Sequence, residues 1–220
     1  MKYFKIEKSL DPKIVGNSHN HSERMSPGYD YDASNSVYNW QKNNLTPNLK
    51  SVIVNRNAKI TDLIDCIPIG GSGVIMSEKF FHILSWFNIM DYSLAEVELI
   101  KDDKTVPGFL FFYFTRSILD EDIEFSKSKY VNLGFDYEKG EYNELGELRI
   151  SSLAELDEGR PTSQLRPLMK KLTLKKHFNY DVFSLDVPGR LIVTEEVKKV
   201  CEKEKVKGVV FTPFEALVRE

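Results

Sequence analysis

Gly73-Val74-Ile75-Met76-Ser77-Glu78 and Arg190-Leu191-Ile192-Val193-Thr194-Glu195 are two versions of one phrase, and their reading decides the fold. In each, an apolar extended run delivers a hydroxyl residue to the position where a helix begins, so its oxygen can accept from an orphan backbone N–H. A glutamate follows, where the positive helix end favours it. The first copy continues as a helical run to Asn88 and an extended run from Tyr92 to Ile100. The second continues helically to Lys205 and then into Gly208-Val209-Val210-Phe211. The chain therefore repeats a strand-to-helix unit and builds a framework from it.

Working outward, Phe80, Ile83, Leu84 and Phe87 share one face of the first helix, with Glu78, His82 and Ser85 opposite. The second helix has a narrower stripe of Val197, Val200 and Cys201, and Glu195 and Lys199 stand one turn apart. Phe109 to Phe114 lacks polar alternation, which predicts a central strand covered on both faces. Tyr92 to Leu99 alternates and predicts a strand with one wet face, followed by the polar turn Lys101-Asp102-Asp103-Lys104. Tyr3 to Ile6, Ser51 to Asn55, Ile60 to Ile67, Lys129 to Arg149 and Tyr180 to Val187 supply further strands. These patterns predict an α+β fold: a mixed, largely antiparallel sheet with a few packed helices.

Residues 1–49 read as an N-terminal strand and an irregular arm, because Gly16 to Asn48 is rich in Asn, Ser, Gly, Pro and Asp. Residues 50–220 read as the compact domain. The chain has 220 residues, enough to bury a core without staples, and its two cysteines, Cys66 and Cys201, fit neither a zinc site nor a disulfide framework. Both read as free thiols. A formal net charge of -3 gives no global attraction to nucleic acid or to an anionic membrane. The first residues lack the apolar stretch of a signal peptide, so the expected address is cytoplasmic.

Residues able to do chemistry are scattered. His19 and His21, with Glu23, Asp30 and Asp32, could ligate a divalent metal and serve a metal-dependent hydrolase, although a polar loop of solvated histidines is the plainer reading. Gly70-Gly71-Ser72-Gly73 precedes an extended segment and lacks the Lys-Ser/Thr ending of a phosphate loop, so it reads as a turn. His82 lies one turn from Glu78 on a polar face, and His177 follows a basic run with no carboxylate nearby in sequence. No catalytic, cofactor or metal residue is assigned.

Charge is segregated. Asp120 to Glu158 carries twelve acidic and four basic residues, whereas Arg160 to Lys176 carries six basic and no acidic ones, a contrast suited to docking a basic partner. The candidate partner-binding residues are Asp120, Glu121, Asp122 and Glu124, with Glu155, Asp157 and Glu158. Tyr29, Tyr31 and Trp40, with Tyr38, are candidate aromatic anchors in the arm. The alternative for these rings is packing back onto the domain.

Taken in order, Val74 to Glu78, Phe109 to Phe114, Ser117-Ile118-Leu119-Asp120, Ser126-Lys127-Ser128, Asp181 to Leu185, Leu191 to Glu195 and Lys207 to Phe211 resemble a known bacterial family. It is the family numbered eleven among the immunity proteins of polymorphic toxin systems, typified by a Myxococcus member. The resemblance covers roughly residues 60 to 215, with Tyr3-Phe4 matching the usual start, and its weight lies in the order and spacing of the whole set. It implies a non-enzymatic, cofactor-free protein that binds and blocks a cognate toxin. It transfers no catalytic residue. An adaptor domain for another partner is the further alternative.

Overall fold

The two copies fold into the same unit, and each holds the other. In the computed structural model, which describes residues 1–16, 22–43, 45–64, 73–158, 165–185 and 190–220, the first copy begins with a two-residue strand, Leu63–Ile64. It pairs antiparallel with Val74–Ser77, Leu63 opposite Met76 and Ile64 opposite Ile75, and the chain then enters the helix Glu78–Leu84. The second copy repeats this with Val182–Phe183 paired to Ile192–Thr194, Val182 opposite Val193, before the helix Glu195–Lys203.

An aspartate precedes each short strand, and both do the same work. Asp62 accepts the Ser77 hydroxyl at 2.7 Å and the backbone N–H of Lys207 at 2.7 Å, while its own N–H donates to the Lys207 carbonyl at 3.0 Å. Asp181 accepts the Thr194 hydroxyl at 3.4 Å and the backbone N–H of Asn88 at 3.2 Å, and its N–H donates to the Asn88 carbonyl at 2.8 Å. Asn88 lies four residues past the first copy's helix and Lys207 four past the second's, so each aspartate clasps its own helix start to the segment leaving the other copy's helix. Beyond Lys207, Gly208 takes φ +81°, and a Cβ there would lie 2.3 Å from the Thr61 hydroxyl, so the close approach requires glycine.

Strands and helices are numbered in chain order: β1 Tyr3–Lys8, α1 Pro12–Val15, β2 Ser22–Met25, β3 Leu49–Val54, β4 Leu63–Ile64, β5 Val74–Ser77, α2 Glu78–Leu84, β6 Tyr92–Lys101, β7 Lys104–Val106, β8 Phe109–Phe114, β9 Lys129–Asp136, β10 Glu141–Leu148, α3 Leu153–Glu158, β11 Leu165–Leu174, β12 Val182–Phe183, β13 Ile192–Thr194, α4 Glu195–Lys203, β14 Val209–Pro213 and β15 Leu217–Arg219. The fold is α+β, as the sequence predicts.

Two compact units share the chain. One, built from Phe4–Ser117 and Tyr180–Thr212, contains both copies. Its larger sheet runs β2-β3-β6-β8-β5-β4 with β7 on β6, and its smaller one runs β12-β13-β1-β14. As predicted, β8 is central, paired antiparallel to β5 and β6, with Phe109, Phe111, Phe112 and Phe114 buried. The β6–β7 hairpin closes through Asp102 and Asp103, both at positive φ, the twist a two-residue hairpin turn demands. α2 buries Phe80, Ile83 and Leu84, and α4 buries Val197 and Cys201, where burial pushes the Cys201 thiol up to about 12. Glu195 and Lys199 pair at 3.6 Å. The expected seam at residue 49 does not divide this unit, because Met25, Val37 and Trp40 share its core with Val52, Leu99 and Phe111. Among the described residues, no helix is long and apolar enough to cross a membrane.

The other unit comprises Met1–Tyr3, Ile118–Asn179 and Pro213–Glu220. Its sheet runs β10-β9-β11-β15, with β9 antiparallel to both neighbours and β15 parallel to β11. In sequence, residues 160–176 read as a basic run with no strand. β11 nevertheless buries Leu172, Thr173 and Leu174 at its end, and exposed Lys170 and half-buried Lys171 lie earlier in the strand.

Candidate docking surface

Both acidic segments lie in the second unit, and the fold brings them together. The turn Asp120–Asp122 approaches the start of α3, where Asp120 accepts the Leu153 N–H at 2.7 Å. Asp122 is buried, accepts the Leu119 N–H at 3.0 Å and lies 3.7 Å from His177 Nε2. His177 therefore has a carboxylate neighbour that sequence proximity does not supply. Glu124 accepts the Ser126 hydroxyl at 2.6 Å, and that bond, aided by Lys175 and Lys127, holds its pKa below the ordinary value. Glu155 accepts both the backbone N–H of Ser151 at 2.7 Å and its hydroxyl at 2.8 Å, which lower its pKa in that order. Glu121 is exposed, and the side chains of Asp157 and Glu158 lie outside the described residues.

This geometry changes how the acidic patch is read. Asp120, Asp122, Glu124 and Glu155 turn carboxylate oxygens towards the chain's own N–H and O–H groups, satisfying turn and helix-start donors. Asp122 in particular is an internal tie rather than a docking charge.

The candidate anchors of residues 1–49 divide in the same way. Trp40 is 5% exposed and packs edge-on against Phe111 and Tyr113, with centroids 6.1 and 4.8 Å away. The Tyr29 hydroxyl donates to the Asn48 carbonyl and accepts the Val37 N–H, both at 2.9 Å. These two rings hold the fold, because an indole or phenol ring in a packed core loses the exposure an anchor needs. Tyr31 remains exposed and stacks on exposed Tyr38 at 5.3 Å. His19 and His21 lie outside the described residues, as do Gly70 to Ser72. Asp30 accepts the N–H groups of Asp32 and Ala33 within a turn. Among the described residues no group of three or more His, Cys, Asp or Glu side chains could hold a metal ion.

The surface missing from the sequence reading is the β9–β10 hairpin. Gly140, at φ +69°, closes its loop by donating to the Asp136 carbonyl at 2.8 Å. Phe135 stands opposite Tyr142 in register, and its ring meets Tyr142 and Tyr137 edge-on, each at 5.0 Å. Tyr137 is 67% exposed, Tyr142 48% and Leu145 62%. Leu145 is the extra residue of a bulge, since Glu144 pairs with Leu133 and Gly146 with Asn132. Its side chain folds over Gly134, where a Cβ would come within 2.7 Å of it. Asp136, Glu138, Glu141, Glu144 and Glu147 lie on the same hairpin, Glu144 and Glu147 on the ring face and Asp136 and Glu141 on the other by register; Lys139 pairs with Asp136 at 3.5 Å, and Lys170 pairs with Glu144. The signal available beforehand was the spacing of Phe135, Tyr137 and Tyr142 around Gly140, which puts three rings on one face of a hairpin.

The chain matches no protein-family model and no curated protein.

Proposed function

We propose that this chain is an immunity-type binding protein that acts in the cytoplasm, seating an aromatic and acidic surface on a cognate toxin domain and neutralising it by steric occlusion. The observation that carries this reading is the Phe135–Tyr137–Tyr142 group, its two tyrosines exposed and its phenylalanine half-buried, on a carboxylate-rich hairpin. The ordered set of strand and helix-start motifs supports it from the sequence side. Tyrosines of this kind supply large, rigid contact area, and nearby carboxylates steer a basic partner into register. An occluding interface of about 1,600 Å² in total would extend well past the three rings. The unit has further acidic groups for it, Glu121 among them.

The test is capture with tagged full-length chain in its native bacterium, identification of what it holds, and co-expression. The expected result is a protein that kills when expressed alone and is silenced by this chain. The double variant Tyr137→Ala/Tyr142→Ala should weaken that complex by tenfold or more, about 1.4 kcal/mol. A captured partner that is harmless, or a toxicity this chain leaves untouched, overturns the proposal.

A further inference from the structure

We infer that β10 is an open sheet edge onto which a partner adds a basic β-strand, pairing along Glu141–Glu144 beside the Phe135–Tyr142 face. This deepens the protein-binding reading above and rests on it.

An unpaired strand edge is a template for another chain, so folded proteins keep edges short or guard them with Lys, Pro or bulges. This chain follows that rule at its other margins. β15 has three residues, β2 four, β4 two, β12 two and β14 five, the last ending in Pro213. The flank of β11 left open before Leu172, where β15 begins to pair, carries Pro167, Lys170 and Lys171. β10 breaks the pattern: it has eight residues, contains no Lys, Arg or Pro, and is exposed from Glu141 through Glu147. Among the described residues it pairs only with β9. The bulge at Leu145 divides the edge, which leaves Glu141–Glu144 as its longest regular stretch next to the loop.

Charge selects the occupant. A second copy of this chain would bring its own Glu141, Glu144 and Glu147 to an edge that carries the same three carboxylates, and like charges across a strand pair are destabilising. A strand carrying Lys or Arg at alternate positions turns them to one face, where they meet Glu141 and Asp136, which stand opposite each other in register, with opposite charge. Its apolar residues then lie on the Phe135 and Tyr142 rings. Main-chain hydrogen bonds supply affinity in such strand addition, and side-chain pockets supply the choice of partner.

The test uses full-length chain and three probe peptides: a short strand alternating Lys with Val and Thr, the same composition interrupted by a central Pro, and the Glu-for-Lys version. Amide hydrogen exchange is read residue by residue. The Lys strand should slow edge amides within Glu141–Glu144 by about tenfold or more, because hydrogen-bonded amides exchange only on opening. The Pro-interrupted and Glu peptides should leave them fast. The exposed double variant Glu141→Lys/Glu144→Lys should reverse the preference to the Glu peptide. Equal protection by the Pro-interrupted peptide, protection confined to other strands, or none at millimolar Lys peptide overturns the inference. Protection on β10 without any toxin captured leaves the inference standing and removes the immunity reading. A neutralised toxin whose complex leaves the β10 amides fast does the reverse.

Discussion

Two hydroxyls that look equivalent in sequence do unequal work. Ser77 and Thr194 both precede a glutamate and both take the extended backbone of a helix start. The Ser77 oxygen accepts the Phe80 N–H at 3.1 Å and donates to Asp62 at 2.7 Å. The Thr194 hydroxyl makes no capping bond and reaches Asp181 only at 3.4 Å. Ser77→Ala therefore removes a cap and a charge-assisted bond together, and should cost about 2 kcal/mol. Thr194→Val keeps the shape of a buried side chain, and should cost about 0.5 kcal/mol. Urea unfolding of the two variants measures the difference, and equal losses or the reverse order would contradict this account. The Ser77 cap is legible because capping is local, and Thr194 carries the same pattern without the bond. The aspartates are not legible, because the Asp62 clasp spans 145 residues and the Asp181 clasp 93, and no periodicity reports a contact of that range.

At the scale of elements, α3 shows what the acidic segment is for. Ser152 accepts the Glu155 N–H at 3.1 Å while Glu155 reaches back to Ser151, a variant of the reciprocal cap at a helix start. Because these bonds favour the ionised carboxylate, the folded pKa of Glu155 lies below the ordinary value of 4.5. The contribution to folding is complete above the unfolded value and is lost as pH falls through the lower, folded one. An NMR titration should find the Glu155 carboxylate midpoint under 4.5, with the Ser151 amide shifting in step. Glu155→Gln should abolish that shift, and a midpoint at or above 4.5 would show the cap is not formed. Strand patterns were legible wherever alternation or a full apolar run was intact, as in β6 and β8. β11 escaped because Arg166-Pro167 and Lys170-Lys171 interrupt it, and its cover comes from distant strands on either side.

For the molecule as a whole, the instructive segment is the one whose composition reads as an arm. Its asparagines replace ladder hydrogen bonds with side-chain ones: Asn39 Nδ2 donates to the carbonyls of Tyr31, Asp32 and Ala33, and Asn43 Nδ2 to those of Ser34 and Asn39. Few apolar residues remain, and Met25, Val37 and Trp40 among them lie in the core of the larger unit. Composition counts such residues as sparse, whereas packing depends on where they sit. Trp40→Ala should then cost about 3–5 kcal/mol, the range for emptying a large aromatic site in a packed core. Tyr31→Ala, at an exposed stacked ring, should cost under about 1 kcal/mol. Unfolding followed by near-ultraviolet circular dichroism separates the two. Deleting residues 22–43 should likewise unfold the larger unit rather than trim a free tail, with loss of the amide protection of β3, β6 and β8. A deletion that keeps that protection, or a Trp40→Ala variant as stable as Tyr31→Ala, would restore the segment to an arm and return its tyrosines and tryptophan to the docking surface.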